Sequence, residues 1–498
     1  MQYIKIFLFF SIGFLFSCSN DDDKLDIKDD VTKENLAPRN FEITIKDVTH
    51  SSAKIIWNAA IDPDNDPVKY DIYLENVKIF SDINNLEVEF QNLEELKNYS
   101  GYIIAKDSHG NETREYFKFI TFKYYLKFMK DYDYGPSKFH GELSSITLTE
   151  DNHYLVSGIF SRSVFVFKIN AEGDLIWNKY YTFSDPDFYQ TLNKPVEIIN
   201  SNNGSIFTYQ HYIVQLDKDG NKIWQKDFRE IYGYNQYILL ESLKYDQQNN
   251  LVVVGNHMSS EFMDDIKGVA VKFSPNKNIL WHKSYELDYY NNILDLAFDQ
   301  NNNIMMFGDT RLEDQNGTYS NAKFWLFKID TNGNKIFEKK FGDGYCFPIK
   351  IINTKDNNFI IQGHWSGAYD KRFDLIKKID QSGNFIWEHT FQSDEIVQFS
   401  VTELSNSDIL VTGQDSYNRS MGFSNIRYIN LSPDGKKLWQ KTIVFDYSYT
   451  GGVDVLATDD GGFTMISDFV KIDYNYYSMY PNAKILLLKS DPFGKITM

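Results

Sequence analysis

An all-β fold is predicted by three features of the sequence. Aromatic residues form 16% of the 498-residue chain, with 34 Tyr and 39 Phe, and such side chains suit pleated, half-buried strands. Short runs that alternate apolar and polar residues recur throughout, while long stretches at helical spacing are few. A phrase of the form Lys-φ-Asp-x-x-Gly-x-x-φ-Trp-x-Lys, with φ apolar, keeps returning; its plainest copy lies between Leu216 and Lys226.

Taken in order, the chain opens with Met1-Gln2-Tyr3-Ile4-Lys5 and an apolar run from Ile6 to Phe16. The run is too short for a membrane-spanning helix, which needs about 20 residues. It reads as the hydrophobic region of a signal peptide. Leu15-Phe16-Ser17-Cys18 resembles a bacterial lipobox, although Phe16 is bulkier than the usual residue there. The resemblance implies that residues 1–18 are a lipoprotein signal and that Cys18 is lipidated, which anchors a protein without spanning. Ser19-Asn20-Asp21-Asp22-Asp23 resembles the surface-export signal of Bacteroidetes lipoproteins, implying the outer face of the outer membrane. Residues 19–37 are otherwise an acidic, flexible tether.

Pro38 to Phe122 reads as short alternating strands separated by turn signals. The segment includes Ser52-Ala53-Lys54-Ile55-Ile56-Trp57, Val68-Lys69-Tyr70-Asp71-Ile72-Tyr73-Leu74, and Leu93 ahead of Tyr99. In these residues it resembles a fibronectin type III domain. The resemblance implies a β-sandwich with Trp57 in the core and Tyr99 as a tyrosine corner. Asp62-Pro63-Asp64-Asn65-Asp66 offers alternating carboxylates to calcium, through Asp62, Asp64 and Asp66. It fails the EF-hand pattern, whose twelfth position would be Tyr73. Asp, Asn and Pro are equally the residues of a turn, so a turn is the first reading and calcium the secondary one. No other cofactor is expected.

From residue 123 to 498 the phrase sets a period. Its aromatics fall at Trp177, Trp224, Trp281, Phe337, Trp387 and Trp439, about 47 to 57 residues apart, and Met498 occupies the same slot in a last copy. Periods of this size mark propeller blades. Each unit reads as a four-stranded meander with Asn, Asp and Gly in its turns. The last unit lacks a fourth strand, and a spare one stands at Tyr125–Tyr132 with Phe128 in the aromatic slot. A seven-bladed β-propeller closed by this N-terminal strand is therefore expected, which would remove free sheet edges. The repeated aromatics are read as packing elements between blades. The phrase resembles the docking motifs of quinoprotein dehydrogenases and WD-like propellers, an architectural likeness only: no cluster that would seat a quinone or its calcium is found.

Function is sought in loops and channel. The loops from the second to the third strand should share a face with the links between blades, and long loops on a rigid scaffold collect binding residues. Polar residues stand where second strands end. Candidate ligand-binding residues are His257, Asp309, Gln414, Asp415, Asp468 and His364, with Arg311 and Trp365 beside them. They suit a carbohydrate, a peptide or a cation. No catalytic residue is assigned, because the zinc-helix, phosphate-loop and nucleophile-elbow patterns are absent.

The net charge of −18 argues against nucleic acid, which demands clustered cations. The two cysteines, Cys18 and Cys346, leave no disulfide framework once Cys18 is lipidated. The expected protein is a monomeric, lipid-anchored, surface-exposed binding platform of the outer membrane. The alternative is a polysaccharide-active hydrolase or lyase on the same propeller.

Overall fold

The computed structural model describes residues 34–133, 141–160, 163–183, 196–234, 236–258, 266–312, 322–342, 344–366, 372–392, 396–415, 424–445, 448–471 and 483–496. The lipobox and Cys18 lie outside these residues, as do most of the long loops after the second strands. The described chain is all β apart from one short helix, Arg229–Tyr232. No helix among the described residues is long and apolar enough to cross a membrane. The chain divides into two compact units, ending at and beginning after Tyr124.

In the first unit, one sheet joins Ile43–Lys46, Ala53–Trp57 and Glu87–Phe90. A second sheet orders Val77–Ile83, Lys69–Leu74, Asn98–Lys106 and Glu112–Ile120. Both contribute to one core containing Ile55, Trp57, Tyr70, Ile72, Tyr99 and Phe117. The burial pattern of Ala53–Trp57 alternates, as expected for a strand with one face in the core. The Tyr99 hydroxyl accepts a 2.8 Å hydrogen bond from the Glu94 N–H, five residues upstream. Asp71 is buried beneath Lys78 and Lys106, at 2.7 and 2.9 Å.

The second unit is a propeller-like array of antiparallel meanders. Among the described residues, seven four-stranded meanders follow one another at 141–182, 198–227, 237–285, 290–341, 345–392, 397–443 and 448–490. The last is completed by Phe128–Asp133, which pairs with Ala483–Ser490. The third and fourth are also joined by one parallel bridge, Ile266 to Tyr290. The second and third strands are buried on both faces, as in Tyr154–Phe160, and so read as continuous apolar runs. Fourth strands such as Leu175–Thr182 face solvent and alternate.

Among the described residues, each pair of neighbouring meanders shares a large apolar cluster, and a smaller one gathers Leu239, Met258 and Ile266. One of the large clusters joins Ile466, Ile485, Phe128 and Tyr132 of the last meander to Ile146, Val156 and Phe165 of the first. The first strand of the last meander, Ser448–Ala457, packs against that of the first, Gly141–Leu148.

The recurrent phrase accounts for the outer part of each seam. Its acidic residue closes a turn on its own backbone: Asp217 accepts the N–H groups of Asp219 and Asn221 at 3.0 and 2.7 Å. Asp330, Asp380 and Asp491 do the same. Its aromatic reaches the turn of the next meander. Trp177 lies against Gly220, Phe337 against Gly383, Trp387 against Gly435, Trp439 against Gly494 and Phe128 against Gly173. Trp281 donates its indole N–H to the Thr331 carbonyl at 3.0 Å, and Trp224 lies under the ammonium of Lys277. The first Lys of the phrase is buried and paired with an Asp of the preceding turn. The pairs are Lys272–Asp246 at 2.8 Å, Lys328–Asp299 at 2.7 Å, Lys378–Asp356 at 2.7 Å and Lys489–Asp460 at 2.8 Å.

Candidate functional site

First strands carry a bulge near their middle, between Leu240 and Ser242, Ile293 and Asp295, Pro348 and Lys350, Val397 and Ser400, and Gly451 and Val453. A bulge leaves backbone groups outside the ladder, and buried N–H groups need partners. Side chains of the preceding meander supply them. Glu197 accepts from the Leu243 N–H at 2.9 Å, Asp295 from Ile351 at 2.8 Å and Asp454 from Ile146 at 3.1 Å.

These residues surround a cavity of about 190 Å³ to which all seven meanders contribute, through Ser145, Glu197, Ser242, Asp295, Lys350, Ser400 and Asp454 among others. Two ion pairs involve its lining carboxylates. Lys350 meets Asp454 at 2.9 Å, where Ser400 also donates at 2.7 Å. Lys244 meets Asp295 at 2.7 Å beside the Ser242 hydroxyl. Burial opposes the charge on Lys350, but the Asp454 carboxylate holds its ammonium above the ordinary value. Burial likewise opposes ionisation of Asp454, and Lys350 with Ser400 keeps its carboxyl below the usual range. Glu197 behaves oppositely: burial, then repulsion from Asp295, pushes it up to about 7.

On the N-terminal side of the bulges, the first and second strands pair Leu239 with Asn256, Asn292 with Asp309, and Phe347 with His364. Asn256 donates to Glu241 at 3.1 Å and to the Asn292 carbonyl oxygen, and accepts from the Ile293 N–H at 2.8 Å. Asn292 donates to Asp309 at 2.9 Å, and Asp309 is ion-paired with Arg311 at 3.3 Å. The Arg311 guanidinium lies 4.3 Å from the Tyr290 ring centroid. Asp309 and Arg311 are thus brought together, in a polar chain that starts at Glu241 in the channel.

The other predicted residues are placed separately. His257 bonds Gln236 at 2.7 Å and stacks on Tyr232. His364 stacks on Phe347 with centroids 4.6 Å apart, and Trp365 on Phe373 at 4.7 Å. Asp415 accepts from Asn425 at 3.0 Å and Arg427 at 3.1 Å within its own meander. Gln414 is buried beside it. Asp468 is buried and accepts from the Leu143 backbone, while its Oδ1 has no hydrogen-bond partner. Burial raises its carboxyl well above the usual range.

Asp415 is a brace within one meander, and Asp468 serves a neighbour's backbone. Sequence reasoning missed the channel ring itself. Its signal is a charged residue between two apolar ones within or just ahead of a first strand, repeated in Val196-Glu197-Ile198, Leu294-Asp295-Leu296, Ile349-Lys350-Ile351 and Val453-Asp454-Val455. A larger cavity, about 250 Å³, lies at the seam beside Trp177 and the Lys168–Asp151 pair. A similar one of about 320 Å³ recurs beside Phe337, so these hollows belong to the repeat.

No known protein family and no curated protein matches the sequence. Among solved structures, it is similar to a quinoprotein alcohol dehydrogenase-like protein from Bacteroides thetaiotaomicron, at 11% identity and TM-score 0.38, over 79% of this chain and 92% of that one. A Bacteroides caccae protein of unknown function matches at 11% identity and TM-score 0.37, over 58% and 93% of the two chains. Pseudomonas brassicacearum lignostilbene dioxygenase matches at 10% identity and TM-score 0.42, over 72% and 92%. At these scores the likenesses carry no functional argument.

Proposed function

We propose that the chain is a lipid-anchored outer-membrane protein, exposed at the cell surface. A fibronectin type III-like unit carries a closed seven-bladed propeller, which acts as a non-catalytic platform for a carbohydrate or protein ligand. The aromatic face at the fifth blade carries this reading. Tyr345 and Phe347 are exposed and Phe347 stacks on His364, while Trp365 and Phe373 stack on the other face of the sheet. Flat, exposed aromatic surface suits sugar rings and peptide side chains. The polar chain from Asn292 through Asp309 to Arg311 stands on the adjoining blade and adds orienting donors and acceptors.

One observation favours the rival enzyme: Glu197 is a cavity carboxyl raised to about 7, as a general acid would be. Glycan and peptide arrays probed with the mature chain separate the two readings. The platform reading expects binding without turnover, weakened at least tenfold by Phe347→Ala and left intact by Glu197→Gln. Turnover of a bound glycan that Glu197→Gln abolishes would overturn it in favour of the hydrolase or lyase. The anchor has its own readout: Cys18→Ala should move the protein from the membrane to the soluble fraction.

A further inference from the structure

We infer that the hollow beside Trp177, in the seam between the first and second meanders, is a binding site for a single neutral sugar ring. The hollow arises from a shortened hairpin. In the other six meanders the turn from the first to the second strand runs through residues 149–153, 246–250, 299–303, 354–358, 404–408 and 458–462. In the second meander Ser201 pairs with Gly204, and the turn is only Asn202 and Asn203. Elsewhere such turns meet across the seam. The Asn302 amide donates to the Gln248 side chain at 2.6 Å and accepts from the Gln247 N–H at 3.2 Å. The Lys355 ammonium donates to the Leu404 and Ser405 carbonyls at 2.9 and 2.7 Å. Between the first two meanders no hydrogen bond joins the turns among the described residues, and a cavity of about 250 Å³ lies among Glu150, Asp151, Ser201 and Gly204.

Its walls are polar and incompletely matched. Ser201 is 6% exposed, and its hydroxyl is buried without a hydrogen-bond partner. A hydroxyl in that position is costly unless a polar group meets it. The comparable hollow beside Phe337 is bridged: Gln381 accepts from the Lys328 ammonium at 3.3 Å and donates to the Asn357 carbonyl. In the first seam Lys218 follows Asp217 as Gln381 follows Asp380. A lysine has no acceptor atom, so it cannot take the bond that Gln381 takes from Lys328.

The lining chemistry selects the ligand. Lys168 is buried and neutralised by Asp151 at 3.2 Å. Asp217 is satisfied by the N–H groups and amide of its own turn. Glu150 and Lys218 bring opposite charges to the same hollow. Charges that are paired or already satisfied favour a neutral molecule over an ion. Ser201, Asn200 and the ion pair offer donors and acceptors, and Trp177 adds an apolar wall. A sugar matches this mixture, because its hydroxyls both donate and accept while its C–H groups pack on an aromatic side chain. The volume falls below the about 300 Å³ at which sites for drug-sized ligands begin, which suits one ring. The site is independent of the platform reading and of the fifth-blade face.

Saturation-transfer NMR and calorimetry on the full-length mature chain test this, with the methyl glycosides of glucose, galactose, mannose and N-acetylglucosamine as probes. At least one should bind with a Kd of about 10⁻³ M, the range for a ligand of about a dozen non-hydrogen atoms. Ser201→Ala should weaken that binding at least threefold. Lys218→Gln supplies the bridging amide found at Gln381; it should weaken binding at least tenfold and raise the unfolding midpoint, which a misfolded variant would not do. Phe347→Ala should leave this binding unchanged. Absence of binding by all four probes would refute the site. So would binding that survives both Ser201→Ala and Lys218→Gln. Binding lost only in Phe347→Ala would move the sugar to the fifth blade, refuting this site while sparing the platform reading.

Discussion

Asp468 and Glu197 illustrate how one residue type takes different roles by position. Each accepts a backbone N–H from the next meander, yet burial leaves both with raised pKa values. For a carboxyl raised in the folded state, the folded protein holds its proton longer than the unfolded chain does. Its contribution to stability is then complete below the unfolded pKa and is lost as pH rises towards the folded one. Asp468→Asn keeps an oxygen for Leu143 and removes the buried charge. The variant should melt about 2–4 °C above wild type at pH 7, with the gap closing near pH 4. Calorimetry across that range checks it, and a gap that widens on acidification would contradict the assignment. Asp71 is the opposite case. Burial resists its ionisation, but Lys78 and Lys106 hold its pKa well below the usual range. Its contribution is present at neutral pH and lost in acid.

At the scale of the element, the repeated phrase is a seam fitting with an inner and an outer half. The outer half needs a turn residue that accepts a positive φ beneath an aromatic ring. Gly220 has φ +75°, and an added Cβ would stand 2.8 Å from the Trp177 ring. Gly220→Ala combines left-handed strain of about 1–2 kcal/mol with a clash of about 1–3 kcal/mol. Urea denaturation should show that the cost falls to the strain alone in a Trp177→Ala background, a coupling that a double-mutant cycle isolates. The third meander breaks the pattern informatively: Lys277 occupies the Gly position at φ +67° and lies over Trp224 instead. A cation–π contact of about 0.5–1 kcal/mol offsets part of the strain.

For the whole second unit, the decisive event is that Phe128–Asp133 pairs with Ala483–Ser490 across most of the chain's length. Phe128 packs against Gly173 of the first meander, and the Tyr132 hydroxyl donates to the Gly173 carbonyl at 2.6 Å. Ends joined in this way should unfold together, whereas an open array frays from its termini. Phe128→Ala should cost about 3–5 kcal/mol and lower the midpoint of a single transition for this unit. An early, separate transition confined to the last meander would show that the strand is only an appendage.

The strands, the period, the aromatic slots and the spare strand at Phe128 were all legible in the sequence, because they follow from local alternation and from spacing along the chain. Polar candidates could be found at second-strand ends, but not their partners. Asn256, Asn292 and Asp309 meet across two meanders, and Asp468 meets Leu143 across most of the chain. The channel ring was missed because its members, Glu197, Asp295, Lys350 and Asp454, stand about 50 to 100 residues apart, and a bulge rather than strict alternation sets their direction. The sequence alone determined the repeating all-β unit, since each strand's face is written in a few neighbouring residues. Only the tertiary structure decided which charges are neutralised, which carboxylates hold a neighbour's backbone and which single oxygens, such as the Asp468 Oδ1, have no hydrogen-bond partner. Those outcomes depend on distances between residues remote in sequence, and charge interactions are set by distance and burial.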